Sequence, residues 1–193
     1  MKLYLARHGE CEGNALRLFF GHTDYSLTPR GHEHAGQLFE KLVDIPFSTC
    51  YASCLSRSYL TAEACVKQKN ISVCKLPAFN EQYMGALEGL TYEQAIKQYP
   101  DAVENMLADW TKFPPPLGES FQAVSTRVLE ALQAVLSEEE DALIVSHNGP
   151  LSIMTAHLLG LPLKQCRLFY FDHGTYTMFQ AEESCIRLRY FNK

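Results

Sequence analysis

Ala142-Leu143-Ile144-Val145 constrains the chain more than any other stretch. Four apolar residues in succession leave no polar face for water, so the run reads as a central strand of a parallel sheet with both faces covered. Such a strand commits the chain to an α/β fold. It delivers Ser146-His147-Asn148-Gly149, and Pro150 then opens a helix that ends near Leu159-Gly160. A strand, a polar turn and a helix N-terminus in that order form an anion-binding geometry.

A second short apolar run, Met1 to Ala6, reads as another buried strand, with Arg7-His8-Gly9-Glu10 emerging where it ends. Ligands of open α/β sheets bind beyond the carboxyl ends of the strands. There Arg7 offers a rigid fork of donors for phosphate oxygens, neutral His8 a nucleophilic nitrogen, and Gly9 a backbone that substrate can approach closely. Taken alone, the tripeptide reads equally well as an ordinary strand-to-loop turn. Glu10 to Leu27 follows as a loop, with turn-forming Gly13-Asn14 and Gly21 to Asp24. Thr28 then caps a helix with Pro29 in its first turn and an apolar stripe of Ala35, Leu38, Phe39 and Leu42.

Phe47 to Ser53 and Ile71 to Leu76 are further strand candidates, with a helix from Ser56 to Lys69 between them. This places Arg57 at a strand's carboxyl end and a helix N-terminus, and Glu81 shortly after the next strand, on the same edge as His8 and His147. Thr91 to Gln94 spells a capping box for a short helix that stops at Tyr99-Pro100, and Asp101 to Trp110 is a further helical stretch. Pro114 to Gly118 breaks the pattern, so about 88–118 reads as a lid-like insertion within a single domain spanning 1–193. Ser120 to Leu136 is strongly helical. Leu168 to Asp172, Tyr176 to Gln180 and Cys185 to Tyr190 are short strands joined by turns at His173-Gly174 and Glu182-Glu183-Ser184. The expected architecture is a three-layer α/β sandwich: a mainly parallel central sheet flanked by helices, with antiparallel C-terminal edge strands.

Charge decides which ligands are plausible. A net charge of -5 on 193 residues gives no basic stripe for nucleic acid, and neither a signal-like segment nor a membrane-length apolar run is visible. The expectation is a cytoplasmic protein acting on a small molecule, as a monomer or homodimer. Seven cysteines, an odd number without a Cys-x-x-Cys pair, suit buried thiols in a reducing compartment. His22, His32 and His34 suggest a metal cluster at first sight. His32 and His34 lie two apart on a helix and face different ways, so they read as surface histidines, and no metal or cofactor is expected.

Four strand ends thus converge with groups suited to phosphate chemistry, and the same residues carry a resemblance. Arg7-His8-Gly9-Glu10 with Asn14, Gly21 to Asp24 with Leu27-Thr28 and Gly31, Ser53-x-Leu55-x-Arg57 with Thr61-Ala62, Glu81 with Gly85 and Glu88-Gly89, Gly118-Glu119-Ser120 with Arg127, and Ser146-His147 follow in order along nearly the whole chain. Together they resemble the histidine phosphatase superfamily, whose fold is phosphoglycerate mutase-like. The resemblance implies a phosphohistidine at His8, with Arg7, Arg57 and His147 stabilising the phosphoryl oxygens and Glu81 as the proton donor to the leaving alcohol. It also implies Asn14 as a phosphate ligand; the Asn148 amide is a further candidate donor. Cys11, His34 and Asn148 depart from the residues the family commonly has there.

Within the superfamily, the compact length, Gly118 to Gln122 and the C-terminal pattern are most similar to bacterial alpha-ribazole phosphatases of cobalamin biosynthesis. A broad-specificity small-molecule phosphatase, a cofactor-dependent phosphoglycerate mutase and a phospholigand-binding module are the alternatives. Between Glu81 and Glu119 the only cations are Lys97 and Lys112, which suits a neutral leaving group better than a second anionic one. Phe19, Tyr25, Tyr83, Trp110 and Phe113 are candidates to wall an aromatic pocket, or else belong to the core. Cationic neighbours of Cys11 would depress its thiol pKa and favour ready oxidation; the alternative is a passive small residue in place of Thr.

Overall fold

A computed structural model describes residues 1–182 and 185–193. One six-stranded sheet runs through it in the order β3-β2-β4-β1-β5-β6. The strands are β1 (Lys2–Arg7), β2 (Thr49–Ala52), β3 (Val73–Lys75), β4 (Ala142–Ser146), β5 (Tyr176–Glu182) and β6 (Cys185–Tyr190). The all-apolar run is β4, and it sits where its composition requires, paired parallel to β1 on one side and β2 on the other. The antiparallel edge is made by β5 against β1 and β6 against β5.

Alternation along the strands splits the core into two layers. Leu3, Leu5 and Ile144 face α6 (Phe121–Ser137) and α7 (Asn148–Leu158), meeting Val128, Leu132 and Ile153. Tyr4, Ala6, Leu143 and Val145 face α2 (Pro29–Leu42) and α3 (Ser56–Val66), meeting Leu38, Leu42, Ala62 and Cys65. Leu143, Ile144 and Val145 are all fully buried, and truncating Ile144 to Ala would cost about 2–5 kcal/mol. The helix starts follow local chemistry. The Thr28 hydroxyl accepts from the Gly31 amide at 3.0 Å, and Ser120 accepts from Ala123 at 3.1 Å, each cap contributing about 1 kcal/mol.

The segment at 88–118 forms α4 (Tyr92–Gln98), opened by the Thr91-Gln94 capping box, and α5 (Pro100–Asp109). These helices enclose a small apolar cluster of their own, Leu87, Ala95 and Val103, with Phe19 against it.

Several boundaries differ from the sequence expectation. The loop after β1 contains a four-residue helix, α1 (Glu12–Ala15). α7 starts at Asn148 rather than at Pro150, so Asn148 and Gly149 belong to its first turn. Residues 168–172 form no strand: Leu163–Leu168 is a 3₁₀ helix, and the following backbone is held by side chains instead of a ladder. Phe169 O accepts from the Ser152 hydroxyl at 2.9 Å, the Phe171 amide donates to Asn148 Oδ1 at 2.9 Å, and Phe171 O accepts from Arg7 at 3.0 Å. The turn expected at Glu182-Glu183-Ser184 falls partly outside the described residues.

Candidate active site

The parallel register aligns the strand ends. Arg7 lies opposite Ser146 and Ala52 opposite Val145, so the residues that follow, His8, His147 and Ser53, leave the sheet side by side. The His8 amide donates to Ser146 O at 3.0 Å, and the two imidazoles lie with ring centroids 4.9 Å apart. Both rings are buried. Gly9 permits this crossing, because a Cβ there would stand 2.2 Å from Gly31 O at the start of α2.

Hydrogen bonds fix the tautomer of His8. Its Nδ1 lies 2.7 Å from Gly9 O, a group that only accepts, so the proton is assigned to Nδ1 and the lone pair to Nε2. Burial first, then the charges of Arg57 and Arg7, hold the His8 pKa well below its ordinary value. His147 is depressed likewise by burial, then by His8 and the two arginines. The Nε2 of His147 sits 2.8 Å from the Ser53 hydroxyl, which itself accepts from the Leu55 amide.

Arg7 and Arg57 are buried, and among the described residues neither has a carboxylate closer than 3.8 Å. Arg7 donates to Phe171 O and lies 5.1 Å from the Tyr170 ring centroid. Arg57 donates to Thr23 O at 3.0 Å and Gly21 O at 2.7 Å, with Phe20 beneath it at 5.0 Å. Asp24 stands off at 3.8 Å, its oxygens taken by the amide and hydroxyl of Ser56. Arg7 Nε, Arg57 Nε and His147 Nδ1 are buried and lack a partner among the described residues. Buried polar groups are rarely left unpaired, and a tetrahedral oxyanion suits donors of this kind.

Glu81 is brought in from the other side. Its Oε2 accepts from the Gly149 amide at 3.2 Å in the first turn of α7, and its Oε1 from the Gln82 amide at 3.0 Å. Arg127 anchors that loop, donating to the carbonyls of Ala78, Asn80 and Glu81 while its remaining donors grip Glu119 at 2.7 and 2.8 Å. Glu88 has a comparable role for Arg57. Its carboxylate accepts from the amides of Gly21, His22, Thr23 and Met84 at 2.8–3.0 Å, fixing the loop whose carbonyls hold the guanidinium. Burial raises the Glu88 pKa, but these donors outweigh it and the net shift is downward.

Asn14 and Asn148 each commit the amide oxygen locally. Asn14 Oδ1 accepts from the Cys11 amide at 3.1 Å and Asn148 Oδ1 from Phe171, which leaves each NH₂ as the group able to donate outward. Cys11 matches the passive of its two readings. It is completely buried, and burial pushes its thiol pKa up despite the nearby arginines. His34 is not a free surface histidine either: it is half-buried, and its Nδ1 accepts from the Glu10 amide at 3.3 Å. Among the described residues, no group of three or more His, Cys, Asp or Glu side chains is placed to hold a metal ion.

A cavity of about 200 Å³ opens beside Glu81, with Trp110, Phe121, Ile153 and Arg167 in its walls. Trp110 meets Phe121 edge-on at 4.4 Å, and the Arg167 guanidinium lies 4.1 Å over the indole. Of the other candidate aromatics, Phe19 lines a second cavity against Glu81, Tyr83 and Phe113 are exposed, and Tyr25 packs edge-on to Phe20. Arg167 lies far outside the 81–119 segment in which cations were counted, and only the fold reveals it as a cavity residue.

A model of the histidine phosphatase superfamily (branch 1) matches residues 3–193. The adenosylcobalamin/alpha-ribazole phosphatase of Escherichia coli (strain K12) is 33% identical over 195 residues, covering 100% of this chain and 96% of that protein. Phosphoserine phosphatase 1 of Hydrogenobacter thermophilus is 31% identical over 185 residues, covering 95% and 88%. The crystal structure of the alpha-ribazole phosphatase from Shigella flexneri matches with a TM-score of 0.95 at 34% identity, covering 100% of this chain and 96% of that one.

Proposed function

The chain belongs to the histidine phosphatase superfamily, branch 1, and on that premise we propose that it is a phosphomonoester hydrolase whose covalent intermediate forms on His8. The observation that carries the reading is the tautomer of His8: with Nδ1–H committed to Gly9 O, the Nε2 lone pair is the ring's free nucleophile. The depressed His8 pKa keeps that lone pair available at neutral pH.

In the first step Nε2 attacks phosphorus and the bond to the alcohol oxygen breaks. Glu81 hands its proton to the departing oxygen. Arg7, Arg57 and His147 stabilise the charge on the three phosphoryl oxygens, with Asn14 and Asn148 as further donors. In the second step Glu81 takes a proton from water as that water attacks phosphorus. The P–N bond breaks, phosphate leaves, and Glu81 is ready to act as the acid again. Quenching turnover in alkaline denaturant, which preserves a P–N bond, should trap an acid-labile phosphate on His8. A label elsewhere, or full activity in His8→Ala, would overturn the mechanism, and failure to turn over any phosphate ester would favour a phospholigand-binding module.

For the substrate we propose alpha-ribazole 5'-phosphate. Support comes from the full-length similarity to proteins of that name and from the aromatic cavity beside Glu81, which offers a heteroaromatic ring an edge-on and a stacking partner. A second reading, a small-molecule phosphatase of broader range that accepts carboxylate-bearing esters, is favoured by Arg167 in the same wall. The first reading expects kcat/KM for alpha-ribazole 5'-phosphate at least about tenfold above phosphoserine and 3-phosphoglycerate, about 1.4 kcal/mol of transition-state preference. Comparable values support the second, and isomerisation of phosphoglycerate faster than its hydrolysis would point to a mutase.

A further inference from the structure

We propose that His173 is a positioning residue for the nucleophile, holding the His8–Gly9 peptide at one end while Thr61 holds it at the other. The inference rests on His8 as the nucleophile but concerns a residue outside the phosphate-binding set.

The contact is direct. His173 Nδ1 lies 2.5 Å from His8 O, and because a carbonyl only accepts, Nδ1 carries the proton. The other end of the same peptide, the Gly9 amide, donates to Thr61 Oγ1 at 3.0 Å, and that hydroxyl donates on to Arg57 O at 2.7 Å. Gly9 O is the group that receives His8 Nδ1–H. Gly9 O belongs to the next peptide, joined to this one at Gly9 Cα, so the hold on the His8–Gly9 peptide sets where the acceptor for the nucleophile's own ring proton stands. If that peptide rotates, the acceptor moves and Nε2 leaves its line of attack. A misplacement of about 1 Å can cost on the order of a hundredfold in rate.

His173 is itself braced from α2. Its ring stacks on His34 at 5.2 Å between centroids and 11° between planes. His34 Nδ1 accepts from the Glu10 amide, so His34 is neutral with its proton on Nε2. The stack is thus one of neutral rings, free of the repulsion two imidazolium faces would have. Gly174 turns the chain at φ +70°, and a Cβ there would stand 2.7 Å from Gln37 Oε1, so the turn lies tightly on α2. Lys41 adds a hydrogen bond to Gly174 O at 2.9 Å. The signal is not local in sequence: His34 and His173 are brought together only by the packing of α2 against the 173–174 turn.

The test is a donor-replacement series read on 4-nitrophenyl phosphate. Asn places an amide N–H where His has Nδ1, whereas Gln carries it to the Nε2 position and Ala removes it. His173→Ala and His173→Gln should lower kcat at least tenfold, while His173→Asn stays within threefold of the parent. The inhibition constant for inorganic phosphate should remain within twofold throughout, because the phosphate ligands are untouched. Should His173→Ala not fold, the Asn and Gln pair decides the question. An Asn variant as slow as Gln, a Gln variant within threefold of the parent, or a loss of kcat matched by weaker phosphate inhibition would overturn the inference. A parent enzyme that carries no acid-labile phosphate on His8 overturns the nucleophile assignment instead, and the two failures are therefore distinct.

Discussion

Substituting Gly149 with Ala tests the proposed proton donor, Glu81, apart from the rest of the site. A Cβ at position 149 would stand 2.4 Å from Glu81 Oε1 and 3.3 Å from its carboxyl carbon, about 1 Å inside van der Waals contact. The atom it meets is the far end of a flexible side chain, so Glu81 swings away and the helix does not distort. Gly149 lies in the first turn of α7, where Ala is the better helix former by up to about 1 kcal/mol. That gain offsets much of the 3.2 Å hydrogen bond from the Gly149 amide, worth about 1.5 kcal/mol. Stability should therefore change by less than about 1 kcal/mol. Activity should not be spared, because a displaced general acid forfeits about a hundredfold, or about 2.7 kcal/mol. The loss must depend on the leaving group. Glycerol phosphate needs a proton on its departing oxygen, and its kcat/KM should fall about a hundredfold. 4-Nitrophenyl phosphate expels a stable phenolate, and its kcat/KM should fall less than about fivefold. In the proposed mechanism Glu81 also activates the water of the second step, so the variant should release nitrophenol in a burst as a phosphohistidine accumulates. Equal losses of kcat/KM on both esters, or no loss on either, would refute this placement of the acid.

Two other perturbations reach different parts of the site. Glu88→Gln sets an amide NH₂ against at least one of the four backbone N–H groups now donating to the carboxylate; urea unfolding should show a loss of about 1–2 kcal/mol and phosphate inhibition should weaken about tenfold as the loop around Arg57 loosens, whereas unchanged values would show that the clamp is dispensable. His8, His147 and His173 all have folded pKa values below the unfolded value of about 6.5, His173 at about 4, chiefly because of burial. The unfolded chain therefore binds their protons first, and the stability they contribute is complete above about pH 6.5 and lost as pH falls toward the folded values. Between pH 7 and 5.5 His173 alone should remove about 1 kcal/mol, with His8 and His147 acting in the same direction, and a urea midpoint that stays constant over that range would contradict the burial of neutral imidazoles.

The frame of the fold was legible because it depends on local pattern. The apolar run of β4, the Thr28 and Ser120 caps and the Thr91 capping box each declare themselves within a few residues. The strand ends followed from them, and so did the convergence of Arg7, His8, Arg57, Glu81 and His147. What sequence reading missed is held by contacts between distant segments. Residues 168–172 look like a strand by composition, yet Ser152, Asn148 and Arg7 satisfy that backbone with side chains, and a pattern of residue types carries no trace of such partners. The reactivity of Cys11 is open in the sequence for a related reason. Proximity to Arg7 in sequence says nothing of how deeply the thiol is buried, and desolvation outweighs the attraction of the arginines. The His34–His173 stack and Arg167 over Trp110 are likewise encounters made by the fold.

How each arginine is compensated separates those that build a field from those that build a shape. Arg127 spends two donors on Glu119 and the others on three carbonyls, so its charge is neutralised on the spot while its geometry fixes the Glu81 loop. Arg57 is fully buried and Arg7 nearly so, where an uncompensated charge would be costly. Their compensation comes from carbonyl oxygens and from the faces of Tyr170 and Phe20, which ease desolvation without cancelling the charge. Asp24, whose carboxylate comes within 3.8 Å of Arg57, is held there by its bonds to Ser56. A close bidentate acid on either guanidinium would raise the proton affinity of His8 and occupy the donors a phosphoryl group requires. Keeping acids at a distance would therefore serve both halves of the proposed chemistry: a positive field able to draw a phosphate dianion adds to burial in keeping the imidazole facing it unprotonated.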